Sequence, residues 1–178
     1  GISAGHMVIV GARPNTGKTS FHASVIASDG GFASQGAKCI VLCNEEAPSR
    51  VTARYLSAAS NMTLKEVNNN QARAGILWAK VKDNIKFHGC IGKDLSFVES
   101  VIKNEQPDIV VLDMGDKFAK RTSDKSDVYL KDAAIYARNL AIEYNCAIIW
   151  MSQLSASAEG INRPDQSMLE GSKTGKAA

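Results

Sequence analysis

Several features that mark other protein classes are missing from this chain of 178 residues. No run of about 18 apolar residues occurs, so we expect no membrane span. No basic segment followed by an apolar stretch predicts a secretory leader. The four cysteines form no CxxC pair and have no zinc-ligand spacing with histidine. Because most of them lie in apolar runs, we predict buried free thiols and a reducing, cytoplasmic compartment.

A strong charge of one sign is also absent. The 21 Lys and Arg residues are opposed by 18 Asp and Glu residues, which leaves a net charge of +3. This is too little to argue for a nucleic-acid partner by itself. The 44% hydrophobic and 22% charged content is that of a globular protein. The length suits one domain, residues 1–178, that is large enough to bury a core.

Short apolar runs alternate with longer amphipathic segments along the chain. The runs are typical of strands buried on both faces, and the segments between them have helical spacing. The predicted strands are residues 7–10, 38–44, 85–88, 107–113 and 146–151. The predicted helices are residues 18–28, 48–59, 64–82, 95–104, 127–144 and a short one at 166–170. The third of these has a weak point at 68–70. Residues 114–126 are predicted to form a polar loop. The alternation predicts an α/β fold with a parallel sheet and helices on both faces.

The strongest motif is GARPNTGKTS at residues 11–20. Gly17, Lys18 and Thr19 fit the end of the phosphate-binding pattern GxxxxGK[ST], and Ala12 replaces its leading glycine. Because the motif follows a predicted strand and opens a predicted helix, backbone N–H groups would face the phosphates. Lys18 would reach the β and γ phosphates of ATP, and the Thr19 hydroxyl would bind Mg²⁺. The residues expected around the nucleotide are Arg13, Pro14, Asn15, Thr16, Gly17, Lys18, Thr19 and Ser20.

Acidic and amide side chains follow three other predicted strands, at their carboxyl ends. Asp113 ends one of them and is the predicted Mg²⁺ ligand. Glu45 and Glu46 follow another, and one of them could orient the water that attacks the γ-phosphate. The other is expected to be salt-bridged or solvated. Gln153 follows a third strand, from which its amide could bond the γ-phosphate and a neighbouring loop.

Four segments carry a resemblance to DnaB-type replicative helicases, in the family's order. They are GARPNTGKTSF at 11–21, VLCNEEAP at 41–48, DIVVLD at 108–113 and IIWMSQLS at 148–155. They resemble the Walker A loop, the strand with the catalytic glutamate, the Walker B strand and the strand with the sensor glutamine. Phage primase-helicases and, more loosely, RecA-like recombinases are similar to the same family.

The resemblance implies a RecA-like P-loop NTPase that uses Mg²⁺ and ATP. Lys18 and Thr19 would bind phosphate and metal, Glu45 would polarise the attacking water, and Asp113 would be the Walker B aspartate. Gln153 would be the sensor that couples hydrolysis to the DNA-binding loop. The expected partners are single-stranded DNA, further copies of the protein in a hexameric ring, and primase. The family's arginine finger and closing strands would follow the end of this chain, so we expect a C-terminally truncated domain with weak activity alone, from a bacterial cell or a phage-infected host.

In such helicases the loops after the Walker B and sensor strands face the central channel. The basic residues of these loops here are Lys117, Lys120, Arg121, Lys125, Arg163, Lys173 and Lys176. We take Arg163 and Lys173 as candidate phosphate contacts to DNA, against the ordinary alternative of a solvated charged loop. Two other functions stay open: a RecA-type or clock-type ATPase, and a nucleotide-dependent loader or switch without unwinding activity.

Overall fold

Five strands form one parallel sheet in the computed structural model, which describes residues 1–118 and 126–154. The strands are β1 Met7–Ala12, β2 Cys39–Cys43, β3 Ile85–Gly89, β4 Ile109–Asp113 and β5 Ala147–Gln153. Their order is β1-β5-β4-β2-β3, and every neighbouring pair is parallel. All five predicted strands are confirmed, with bounds that differ by one or two residues.

Six α-helices lie between these strands in the described ranges. They are α1 Lys18–Ala27, α2 Pro48–Ser60, α3 Leu64–Asn69, α4 Gln71–Ala79, α5 Leu95–Glu105 and α6 Ser126–Glu143. Pro48 occupies the first turn of α2, where its missing N–H is not needed. The Asp94 carboxylate accepts a hydrogen bond from Ser96 N at 3.1 Å and so caps α5 as expected.

Two predictions about helices and loops need correction. The single helix predicted over 64–82 is two helices, because Asn70 leaves the helical conformation with φ −133° and ψ 49° and separates α3 from α4. The polar loop predicted over 114–126 begins with a 3₁₀ turn at Gly115–Phe118, in which the apolar Phe118 side chain is buried in a hydrophobic core. The predicted helix at 166–170 lies outside the described residues.

Successive residues of the inner strands face two separate cores. One core lies between the sheet and helices α5 and α6, and its strand residues are Ile40, Leu42, Val110, Leu112, Ile148 and Trp150. The other lies against α1 and α2, and its strand residues are Cys39, Val41, Cys43, Ile109, Val111, Ala147, Ile149 and Met151. The predicted sheet with helices on both faces is therefore confirmed.

The first strand was expected to be fully buried, and this expectation is wrong. β1 pairs with β5 alone among the described strands, so it is an edge strand there, and the side chain of Ile9 is 37% exposed. An apolar run indicates a strand but carries no information on its place in the sheet.

All four cysteines are free and buried, which confirms the prediction for the three that lie in apolar runs. Burial raises the pKa of Cys39, Cys43 and Cys90 to about 12 and that of Cys146 to about 11. These thiols therefore stay protonated at neutral pH. Across the described part of the chain, no helix has both the length and the apolar character to cross a bilayer.

Candidate functional site

The carboxyl ends of four strands bring most of the predicted site residues to one edge of the sheet. Ala12 at the end of β1 pairs with Gln153 of β5, and Cys43 at the end of β2 pairs with Asp113 of β4. Glu45 follows β2 by two residues. In open α/β sheets this edge is where ligands bind.

The loop between β1 and α1 has the backbone shape of a phosphate cradle. Asn15 and Gly17 both have left-handed φ values, 58° and 92°. The Thr16 hydroxyl donates to the Arg13 carbonyl at 2.7 Å and closes the turn. Helix α1 then begins at Lys18 with no side-chain cap and no acidic residue in its first turn. Its first N–H groups and the helix dipole therefore favour an anion at this end.

Lys18 lies close to the end of β4. Its Nζ donates to the Met114 sulfur at 3.0 Å, and Met114 follows Asp113 directly. Met114 is 3% exposed and has a left-handed φ of 60°, so the chain turns sharply after the strand. A thioether is a weak acceptor, so little is lost when the ammonium turns toward a charged phosphate oxygen.

Asp113 is the most unusual group at this edge. It is 1% exposed, and neither of its carboxylate oxygens has a hydrogen-bond partner among the described residues. Burying a carboxylate without hydrogen bonds costs free energy, so we expect a cation or ordered water beside it. Thr19, the other predicted Mg²⁺ ligand, is half-buried in the first turn of α1.

The described residues contain no group of three or more His, Cys, Asp or Glu side chains arranged to hold a metal alone. Mg²⁺ usually keeps several waters and is bound through one or two carboxylates together with phosphates of the substrate. The orphaned oxygens of Asp113 beside a phosphate cradle fit such a shared site.

The two adjacent glutamates differ in their contacts. Arg54 Nη1 lies 3.0 Å from each of the two carboxylate oxygens of Glu46. Glu45 is more exposed, 42% against 26%, and its contact with Lys117 Nζ is longer, at 3.6 Å. Exposed ion pairs of this length contribute little. Glu45 is therefore the carboxylate that can turn to a ligand at lower cost.

Asp116, whose role is not predicted by the sequence, joins the end of β5 to the turn after β4. The Asp116 carboxylate accepts hydrogen bonds from Trp150 Nε1 at 2.9 Å, Ser152 Oγ at 2.7 Å and Gln153 N at 3.2 Å. A Cβ on the preceding Gly115 would lie 2.4 Å from the Trp150 ring, so this turn needs glycine. Gln153 is thus held at the sheet edge through its backbone.

His22, which is also not predicted by the sequence to lie near this edge, is on α1 one turn after Thr19. Its side chain is 0% exposed; Nδ1 is 2.8 Å from the Tyr55 hydroxyl and Nε2 is 3.7 Å from Asp113 Oδ1. The only signal in the sequence was the helical spacing, which puts residues three and four apart on one face.

The chain was compared with known protein families. The family described as the DnaB-like helicase C terminal domain matches residues 1–174. The chain belongs to the DnaB-like helicase C-terminal domain family.

The DnaB-like fold also appears in a comparison with solved structures. One similar structure is described as that of a DnaB-like replicative helicase and its interactions with primase, with a TM-score of 0.82 and 19% sequence identity. The match covers 97% of this chain and 45% of the other, so this DnaB-like domain spans under half the length of that relative. At this identity the likeness concerns the fold. No curated protein sequence matches the chain.

Several predicted residues of this DnaB-like domain lie outside the described ranges. They are the candidate DNA contacts Arg163 and Lys173 and the loop residues Lys120, Arg121, Lys125 and Lys176. Lys117 is described, and it lies beside Glu45.

Proposed function

We propose that the chain is the ATP-binding and ATP-hydrolysing core of a hexameric replicative DNA helicase, in which hydrolysis drives movement along single-stranded DNA. Membership of the DnaB-like family supports the proposal. One observation carries the chemistry: the buried Asp113 carboxylate has no hydrogen-bond partner in the described structure and lies at the same sheet edge as an uncapped helix N-terminus. A carboxylate for the metal and a helix N-terminus for the phosphates would together complement a nucleoside triphosphate with Mg²⁺.

The phosphates of ATP would be bound by the loop from Arg13 to Gly17, by Lys18 and by the start of α1. The backbone N–H groups would bind phosphate oxygens, and Lys18 would exchange the Met114 sulfur for a phosphate. Thr19 and Asp113 would hold Mg²⁺, which when bound neutralises charge on the phosphates. Ser20, exposed in the first turn of α1, would border the same phosphates.

Hydrolysis would depend on Glu45, which would hold and deprotonate the attacking water. The firmer attachment of Glu46 to Arg54 supports this choice, since breaking that pair would cost more. Gln153 would donate its side-chain amide to the γ-phosphate, while its backbone N–H stays with Asp116. A change at the γ-phosphate would then reach the segment after β5.

The test compares three variants of the chain for Mg²⁺-dependent binding of a fluorescent ATP analogue and for ATP hydrolysis. Lys18→Ala should abolish tight binding. Glu45→Gln should keep binding and lower the hydrolysis rate about 100-fold or more, the usual contribution of a general base. Glu46→Gln is the matched control and should stay near the wild-type rate. If Glu46→Gln loses hydrolysis and Glu45→Gln does not, the assignment is wrong by one residue.

The proposal extends to single-stranded DNA, to ring assembly and to primase as partners. Arg163 and Lys173 would contact phosphates of the DNA without reading its sequence. We expect hydrolysis to rise several-fold with single-stranded DNA, and the rise to fall with added salt. Hydrolysis that is indifferent to DNA would argue instead for a RecA-like ATPase or a nucleotide switch with a protein partner. Native mass spectrometry with Mg²⁺ and ATP tests for the hexamer.

A further inference from the structure

His22 connects the phosphate-binding helix to the end of β4. It lies four residues after Lys18 and three after Thr19, so its side chain leaves α1 on the face that carries these two residues. The side chain is 0% exposed and faces the sheet rather than the solvent. A histidine at this depth needs hydrogen bonds to offset the loss of water.

One ring nitrogen of His22 is firmly held. Nδ1 lies 2.8 Å from the Tyr55 hydroxyl, and the two rings are tilted by 51° at a centroid distance of 5.6 Å. Tyr55 is itself 0% exposed and meets the edge of Phe87 at 4.9 Å and 87°. Burial raises the pKa of the Tyr55 phenol well above its ordinary value, so its hydroxyl keeps its proton. The phenol can therefore donate to Nδ1.

The other ring nitrogen faces the candidate metal ligand. Nε2 is 3.7 Å from Asp113 Oδ1, and neither atom has a hydrogen-bond partner in the described ranges. That separation exceeds the length of a hydrogen bond by about half an ångström. A small rotation of either side chain would therefore satisfy both atoms at once.

We propose that His22 is a positioning residue that orients the Asp113 carboxylate for Mg²⁺, with Tyr55 holding the imidazole in place. The neutral ring has one acceptor and one donor nitrogen. If Tyr55 donates to Nδ1, the proton of the ring is on Nε2 and points at Asp113 Oδ1. The second carboxylate oxygen is then left for the metal and its water shell. The inference rests on the proposed nucleotide function.

The physical reason is that a ligating carboxylate binds well when its orientation is fixed before the metal arrives. Side chains that orient a ligand in this way typically change metal affinity by 10–100-fold when they are removed. An apolar residue in place of His22 would fill the space and leave Asp113 free to rotate. A histidine that only packs the core would leave metal affinity unchanged when it is replaced.

The experiment measures the Mg²⁺ concentration that half-saturates binding of a fluorescent ATP analogue to the chain, together with binding of the same analogue in EDTA. His22→Leu should raise the half-saturating Mg²⁺ about 10–100-fold and leave metal-free binding unchanged. His22→Gln keeps one acceptor and one donor and should restore most of the affinity. Tyr55→Phe keeps the ring and loses only the hydroxyl, so it should raise the Mg²⁺ requirement several-fold. Tyr136→Phe, at a 40% exposed tyrosine, is the matched control.

Circular dichroism and thermal unfolding show which variants are folded. A folded His22→Leu variant with the wild-type Mg²⁺ requirement overturns the inference. If His22→Leu does not fold, Tyr55→Phe decides, and an unchanged Mg²⁺ requirement there overturns it equally. If the wild-type chain shows no Mg²⁺-dependent binding while it is folded, the proposed function itself fails, and the inference falls with it.

Discussion

Replacing Asp116 by alanine should destabilise the domain, because the carboxylate serves three donors at once. Two of these donors, Trp150 Nε1 and Ser152 Oγ, belong to side chains that are only 2% exposed. A buried donor left without a partner costs about 1–3 kcal/mol. Asp116 is half-buried, so water can reach part of the vacated space. We therefore expect the free energy of unfolding to fall by about 2–4 kcal/mol, which lowers Tm by about 5–15 °C at this chain length.

Urea and thermal unfolding, followed by circular dichroism, measure this loss. Asp132→Ala, at an exposed position of α6, is the control and should stay within about 0.5 kcal/mol of wild type. Trp150→Phe removes one donor and should cost less than Asp116→Ala if its ring still packs on Gly115. An Asp116→Ala variant as stable as the Asp132→Ala control would refute the view that these hydrogen bonds hold the end of β5.

Two further predictions concern glycine and cysteine. Gly115→Ala should lower the free energy of unfolding by about 1–3 kcal/mol, since its Cβ would lie 2.4 Å from the Trp150 ring. A Cβ on Gly75 in α4 would meet no atom within 4 Å, so Gly75→Ala should raise the free energy of unfolding by about 0.5–1 kcal/mol. Urea unfolding measures both, and equal effects would contradict the clash at Gly115. Burial raises the pKa of the Cys39, Cys43 and Cys90 thiols from an ordinary value of 9.0 to about 12. The unfolded chain therefore loses these protons first, so the contribution of these thiols to stability should be constant below about pH 9 and fall above it. Iodoacetamide at pH 8 should label these thiols only after unfolding, and rapid labelling of the folded chain would contradict the burial.

The sheet could be predicted because burial on both faces leaves a continuous apolar run. Residues 39–43 and 109–113 are buried throughout, and the longer segments between successive strands have helical spacing. The phosphate loop could be predicted because its chemistry is local, within the ten residues 11–20. The choice of Glu45 over Glu46 depended on family resemblance until the contact of Arg54 with Glu46 was known.

The remaining features depend on contacts between distant parts of the chain. Asp116 belongs to a polar loop in the sequence, and nothing there indicates that its three donors come from β5. His22 is an isolated polar residue in an apolar helix face, and its partners Tyr55 and Asp113 lie on α2 and β4. Periodicity describes which face a residue occupies and does not say what lies opposite it.

His22 and Asp116 approach the candidate site from opposite faces of the sheet. His22 and Tyr55 lie on the side of α1 and α2, and Tyr55 belongs to the core there. Asp116 bonds Trp150, which belongs to the core on the side of α5 and α6. The backbone at Gln153, at the end of β5, is held by a hydrogen bond to Asp116, whereas Asp113, at the end of β4, has His22 Nε2 3.7 Å away on the other face. A rigid scaffold of this kind holds functional groups in place before a ligand binds, which lowers the cost of ordering them at the moment of binding. Because Asp116 follows Asp113 by only three residues, its hydrogen bonds also tie together the two strand ends that would contact the metal and the γ-phosphate.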